Sequence, residues 1–128
     1  MAILVTNSIA VSVQAKYDPR HSNPSEGRYF YAYRVTIANQ GHRTVRLLRR
    51  KWHIVDSMAA PREVKGPGVV GETPVLLPGQ EFTYSSFCDL HSTLGRMEGC
   101  YTMRDEEDLS EFEVNIPSFD LLYSWLAN

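Results

Sequence analysis

The chain of 128 residues has only two cysteines, Cys88 and Cys100, too few for a disulfide framework. It has no run approaching the roughly 20 apolar residues of a membrane-spanning helix, so membrane insertion is not expected. The opening Met1-Ala2-Ile3-Leu4-Val5-Thr6-Asn7 lacks both a basic region and a long apolar core and does not read as a secretory signal. Neither sign of charge dominates. A formal net charge of −2 gives no general attraction to nucleic acid or to acidic membranes. Internal repeats, low-complexity stretches and interdomain linkers are also missing. The bulk properties therefore predict one reduced, cytoplasmic domain over residues 1–128, large enough to bury a core without staples.

A dominant period of two is present. Ile9, Val11, Val13, Ala15 and Tyr17 alternate with Ala10, Ser12, Gln14 and Lys16, which predicts a strand with one buried face. Asp18 to Gly27 is dense in turn residues and reads as a surface loop. Tyr29, Tyr31, Tyr33, Val35 and Ile37 alternate in a second strand, which ends at Asn39-Gln40-Gly41-His42. From Arg43 to Val55 the phase changes: Val45 and Leu47 lie on one face, Leu48, Trp52 and Ile54 on the other. A bulge near Leu47-Leu48 reconciles the halves, since one extra residue flips the side chains. A turn at Asp56-Ser57 and a short strand over Arg62-Glu63-Val64-Lys65 follow. Alternation returns in Phe82, Tyr84, Ser86 and Cys88, in Met97, Gly99, Tyr101 and Met103, and in Phe112, Val114 and Ile116 before Pro117. From Phe119 onward the pattern fits a helical face and a strand equally. Many short strands separated by turns argue for an all-β sandwich of two antiparallel sheets. Val11, Val13, Tyr33, Val35, Ile37, Trp52, Ile54, Tyr84, Tyr101, Phe112 and Val114 are expected to face inward.

The centre of the chain carries the most specific signal. Gly66-Pro67-Gly68-Val69-Val70-Gly71-Glu72-Thr73-Pro74 leads through Pro78-Gly79-Gln80-Glu81-Phe82 to Tyr84-Ser85-Ser86. Thr93, Gly95, Met97, Gly99 and Tyr101 come next, and Phe112-Glu113-Val114-Asn115-Ile116-Pro117-Ser118-Phe119 closes the series. In this order and spacing the chain resembles the ApaG family over about residues 8–121, and Arg49-Arg50-Lys51-Trp52 is similar to that family's R-x-W stretch. The resemblance implies an immunoglobulin- or fibronectin type III-like sandwich. It also implies a genetic association with cobalt resistance and magnesium efflux. Related domains fused to adaptor proteins imply recognition of other proteins.

Gly66, Gly68 and Gly71 satisfy G-x-G-x-x-G, the dinucleotide fingerprint, whose glycines follow a strand and open a helix. Pro74 and Pro78-Gly79 break any such helix, so the segment is expected to be an irregular turn. A weaker alternative stays open: backbone N–H groups at Gly66 to Gly71 holding a phosphate or pyrophosphate, with Pro67 removing one donor. Glu72, Glu81 and Asp89 show no metal-ligand spacing, and Cys88, His91 and Cys100 do not match a zinc pattern. No cofactor or metal is expected. Arg43, Arg46, Arg49, Arg50 and Lys51 concentrate positive charge, but along a strand they point to both faces, which disfavours nucleic acid. Ser85, Ser86, Asp89 and His91 lie close in sequence without a nucleophile elbow, and His53 within a strand reads as a packed residue. The chain is thus expected to be a non-enzymatic interaction or regulatory module with a protein partner, a homodimer being compatible. Tyr123 and Trp125, beyond the shared motifs, are candidate partner contacts.

Overall fold

A computed structural model describes residues 1–123. Nine strands follow in chain order: β1 (Ala2–Thr6), β2 (Ile9–Asn23), β3 (Arg28–Asn39), β4 (Val45–Asp56), β5 (Ala59–Pro67), β6 (Val75–Leu76), β7 (Glu81–Leu90), β8 (Leu94–Asp105) and β9 (Glu111–Leu122). The only helical element among the described residues is a 3₁₀ turn, Pro24–Glu26. One sheet has the order β1-β2-β3-β7. The other has the order β5-β4-β8-β9, with β6 pairing the start of β4. Every pairing is antiparallel. The predicted sandwich of two antiparallel sheets is the observed architecture.

Period-two sequence becomes a core because each strand turns alternate side chains toward the facing sheet. Val11, Val13, Val35, Ile37, Tyr101 and Val114 are buried, and Tyr33, Trp52 and Phe119 meet across the middle with ring centroids 5.5–6.0 Å apart. Each fully buried apolar side chain contributes about 1.5–3 kcal/mol. Phe112, at the end of the sandwich, is half-buried. The expected bulge is present: the β4–β8 register slips between Leu47 and Arg49, so Leu48 is the extra residue and the two phases of β4 share one core.

Three expectations are corrected. Asp18 to Asn23 does not leave the sheet as a loop but continues β2, with an irregular register opposite β3. The Ser22 hydroxyl takes the Phe30 N–H at 2.8 Å, and the Asp18 carboxylate accepts the Arg20 N–H at 2.9 Å, so side chains replace ladder bonds there. Pro19 costs no such bond, because β1 pairs β2 only as far as Val13 and β2 is an edge beyond it. Ala15 is exposed for the same reason. Pro117 does not end the last strand. A second slip sets Pro117 and Ser118 opposite Glu98, and β9 continues as strand with Phe119 and Leu121 inward. His53 is exposed on the outer face of β4 instead of packed.

One side of the sandwich is tied together at the Thr6–Asn7 end of β1. Asn7 donates its side-chain N–H to Glu113 O at 3.1 Å, and the Asn115 N–H reaches Thr6 Oγ1 at 3.2 Å, tying β1 to β9. The opposite side, between β5 and β7, stays open.

Candidate functional site: the cleft between β5 and β7

The β4 register puts Arg50, Trp52 and Ile54 on the inner face, opposite Gly66, Val64 and Arg62 of β5. Beyond β5 there is no further strand among the described residues, and Val64 is exposed although it faces inward. From the other sheet, Tyr33, Ser86 and Cys88 face the same gap. The result is a cleft of about 230 Å³, with Trp52 and Cys88 at its floor and Arg62 and Asp89 at its rim. A wider groove of about 810 Å³ lies at the other side of the molecule, where β1 ends against β2 near Phe119.

Arg62 bridges the open side. Its guanidinium donates to the Asp89 backbone carbonyl, lies 3.3 Å from the Asp89 carboxylate and 3.5 Å from Cys88 Sγ. At the same end, Asp56 joins the turn after β4 to the turn after β7. Its carboxylate accepts the His91 N–H at 2.7 Å, the Ser92 hydroxyl at 2.6 Å and the Met58 N–H at 3.1 Å. Burial opposes the charge on Asp56, but these donors outweigh it and hold the carboxyl below its usual range.

The glycine-rich segment closes the other end. Gly66 and Pro67 still belong to β5, and Gly68 to Gly71 form the expected irregular turn, with no helix after it among the described residues. Val69 and Glu72 exchange backbone bonds of 2.8 and 2.9 Å around Val70 and Gly71, whose φ values of 43° and 80° make a two-residue turn of positive φ. Gly68 has φ 59°, and a Cβ on it would lie 2.2 Å from Glu72 O. Gly66 leaves room for the Arg50 guanidinium, which donates to Pro67 O and Gly68 O at 2.9 Å each. The Gly68 N–H is bonded to Leu48 O at 2.8 Å. The structure therefore brings Gly66, Gly68 and Gly71 together, with the Gly68 N–H spent on β4 and those of Val69 and Glu72 on the turn itself.

Behind the cleft, the Tyr84 and Tyr101 hydroxyls meet at 2.5 Å. Burial pushes both phenols well above their ordinary range, and it pushes the Cys88 thiol up as well. Tyr31, whose hydroxyl reaches Ser92 O, is raised by burial to about 12. The shifted groups around the cleft thus move away from neutrality in both directions, the opposite of what proton transfer at pH 7 requires.

The other residues singled out in the sequence are dispersed. Ser85 and Asp89 point to the outer face, Ser86 to the inner, and His91 contributes its backbone N–H to Asp56. Glu81 and Asp89 stand at opposite ends of β7, roughly 26 Å apart at strand rise, and Glu72 lies in the glycine turn. Cys88 and Cys100 belong to different sheets. No group of three or more His, Cys, Asp and Glu able to hold a metal occurs among the described residues. The bulge turns Arg46, Arg49 and Lys51 outward and Arg50 inward, and Arg49 and Lys51 are paired with Glu111 and Glu63. Arg43, before β4, pairs with Asp105. Tyr123 packs edge-on against Tyr17 at 4.7 Å and gives its N–H to Thr93 O, which leaves it half-buried. Trp125 lies outside the described residues. Sequence reading missed Arg62 and Asp56. Nothing in a local pattern marks an arginine as a bridge between sheets, although an aspartate directly before a turn is a signal for side-chain capping of that turn.

A family model described as the ApaG domain matches residues 19–105. "Protein ApaG" of Brucella anthropi is 50% identical over 117 residues, covering 91% of this chain and 89% of that one. "Protein ApaG" of Paramagnetospirillum magneticum is 48% identical over 116 residues, covering 91% and 88%. Among solved structures, the crystal structure of the putative ApaA protein from Bordetella pertussis superposes with a TM-score of 0.87 at 39% identity, covering 91% of this chain and 94% of that chain. The sandwich is accordingly of the fibronectin type III-like kind. With the family model and these relatives agreeing over most of its length, the chain belongs to the ApaG domain family.

Proposed function

We propose that this protein works as a non-enzymatic interaction module in the cytoplasm, and that it acts by binding another protein. The observation that carries the reading is the open side of the sandwich. A long strand edge and an inter-sheet cleft are left unfilled there, while the opposite side is laced by side-chain bonds. An unpaired strand edge is a ready template for strand addition by a partner. The chemistry supports the same reading. A nucleophile, a base and an orienting group do not converge in the cleft, and the buried carboxylate at its end, Asp56, is consumed by three structural hydrogen bonds. Among the described residues no helix is long and apolar enough to cross a membrane.

The association of ApaG-type proteins with cobalt resistance and magnesium efflux is, on this reading, indirect and runs through the bound partner. The alternative, phosphate or pyrophosphate held at the glycine turn, would rely on the N–H groups of Val70 and Gly71, since those of Gly68, Val69 and Glu72 are already bonded to backbone carbonyls. The test is capture of partners by the untagged protein from its native cytosol, with equilibrium dialysis and calorimetry beside it. A reproducible stoichiometric protein partner is expected, with no cobalt, magnesium or pyrophosphate bound at micromolar affinity. Turnover of a dinucleoside polyphosphate, or a tight metal or pyrophosphate site without a protein partner, would overturn the proposal.

A further inference from the structure

Sheets expose strand edges, and most proteins blunt them with short strands, proline, lysine or bulges. Three of the four edges of this sandwich are treated so. β1 has five residues. β5 carries Pro61, Lys65 and Pro67 and a register slip near its start. β9 carries Pro117 and its own slip. β7, Glu-Phe-Thr-Tyr-Ser-Ser-Phe-Cys-Asp-Leu, has ten residues without proline or lysine and pairs β3 in unbroken register.

The direction of its free groups is fixed by three bonds. The Asn39 N–H of β3 reaches Gln80 O at 2.9 Å, just before β7. Phe30 faces Asp89, yet its N–H goes to Ser22 on the other side. The Asp89 carbonyl accepts Arg62 from β5. Even-numbered backbone groups of β7 therefore face β3, and those of Thr83, Ser85 and Phe87 face outward. No strand among the described residues pairs them.

We infer that the β7 edge between Glu81 and Asp89 takes up an extended segment of another protein as an added antiparallel or parallel strand, with a basic residue toward each end of that segment. The inference rests on the interaction-module reading and assigns its surface. Backbone bonds to Thr83, Ser85 and Phe87 give the affinity, and side chains give the specificity. Alternate residues of the added strand would drop toward the cleft beside Val64, Trp52 and Cys88, which calls for apolar, β-branched side chains there. The other residues would lie beside the outward side chains of β7, where Phe87 is 55% exposed. That row is acidic at both ends, Glu81 and Asp89, and uncharged between them; Asp89 shares its carboxylate with Arg62, and Asp18, bonded to His21, stands in line with it across β3. Cations at the ends of the incoming strand complement it. A second copy fits less well, because antiparallel β7 pairing centred on Ser85 sets Glu81 against Asp89 twice.

The test uses the full chain, ¹⁵N-labelled, and two synthetic ten-residue peptides of alternating valine and threonine, one with a lysine at each end and one with a glutamate at each end. Chemical-shift changes and slowed amide exchange are expected at Thr83, Ser85 and Phe87. The lysine-ended peptide should bind at least fivefold more tightly than the other. Ser85→Pro removes an edge N–H that β3 does not use and should weaken binding at least tenfold. If the proline variant does not fold, Ser85→Lys takes its place with the same loss expected, and Glu98→Ala on the far sheet should bind as the parent does. No binding, shifts confined to other strands, or undiminished binding by the Ser85 variants would overturn the edge assignment. Equal affinity for the two peptides would overturn the basic ends. Self-association of the parent that Ser85→Lys abolishes would make a second copy the occupant instead. Native partners still captured by the Ser85 variants would overturn the edge while leaving the interaction module standing, whereas no partner for the parent protein would remove the module itself.

Discussion

β5 and β7 face each other across one cleft, and each is the last strand of its sheet, yet their sequences treat the same exposure in opposite ways. β5 reads Ala-Ala-Pro-Arg-Glu-Val-Lys-Gly-Pro: two prolines that cannot donate, three charged residues and a slipped register. β7 has charge only at its ends and keeps every donor and acceptor. Guarding only one of the two edges blunts β5 against pairing and leaves the free backbone groups of β7 available to another strand. The cleft also needs its two sheets held apart at a set distance. The glycine turn and Arg50 anchor the far end of β5, and Asp56 with Arg62 anchors the near end to the end of β7.

Disturbing these anchors breaks the arrangement in a graded way. The largest effect is expected from Gly68→Val, which meets both a left-handed φ and a backbone oxygen 2.2 Å from the new Cβ. Strain and overpacking together should cost about 4 kcal/mol, which lowers Tm by roughly 12–16 °C at this chain length. Gly71→Val has φ 80° but open space around it, so thermal unfolding should show a loss of only about 1–2 kcal/mol. Equal losses at the two glycines would refute the distinction between a crowded and a merely twisted backbone.

Asp56→Asn comes next. The amide replaces one acceptor with a donor that faces existing donors, and chemical denaturation at pH 7 should show a loss of about 2 kcal/mol. The carboxyl is depressed in the folded state, so its contribution is complete above its unfolded pKa of about 4. It is lost as pH falls through the lower folded value, because the unfolded chain binds the proton first. The difference between parent and variant should therefore shrink below about pH 4, and a constant difference from pH 7 down to pH 2 would contradict it.

Arg62→Ala should cost less than about 1 kcal/mol, since arginine and Asp89 are both solvent-accessible. Its clearer readout is hydrogen exchange, with faster exchange expected in β5 and little change in β8. The smallest change in stability, within about 0.5 kcal/mol, is expected from replacing Pro61 and Lys65 together by threonine. That double variant makes β5 resemble β7, and light scattering should detect self-association absent from the parent.

Much of this fold was legible because burial imposes a period of two on any strand with one wet face. The phase change at Leu47-Leu48 was enough to locate a bulge, since Val45 and Trp52 cannot otherwise share a core. The same signal exists at Ile116 and Phe119, but Pro117 between them suggested an end; on an edge strand a missing N–H costs nothing, so the strand continues. β1 escaped notice because Ile3 and Val5 are exposed and its turn is Asn7-Ser8, with φ 50° and 64° at residues that are not glycine. The extension of β2 was hidden because Asp18 and Ser22 use turn-type side chains to support a sheet edge.

The sequence by itself determined the sandwich, its inward residues, the bulge in β4, the irregular glycine turn and the family, all of which depend on local periodicity or on spacing along the chain. Only the tertiary structure decided which strands became edges, that Arg50 turns inward onto the glycine turn while Arg49 turns out, and that Arg62 and Asp56 span the two sheets. Those facts depend on which segments meet across sequence separations of 26 to 35 positions, as Arg62 meets Cys88 and Asp56 meets His91. A one-dimensional pattern reports how a residue is buried, but not which strand lies opposite it or which edge is left without a neighbour.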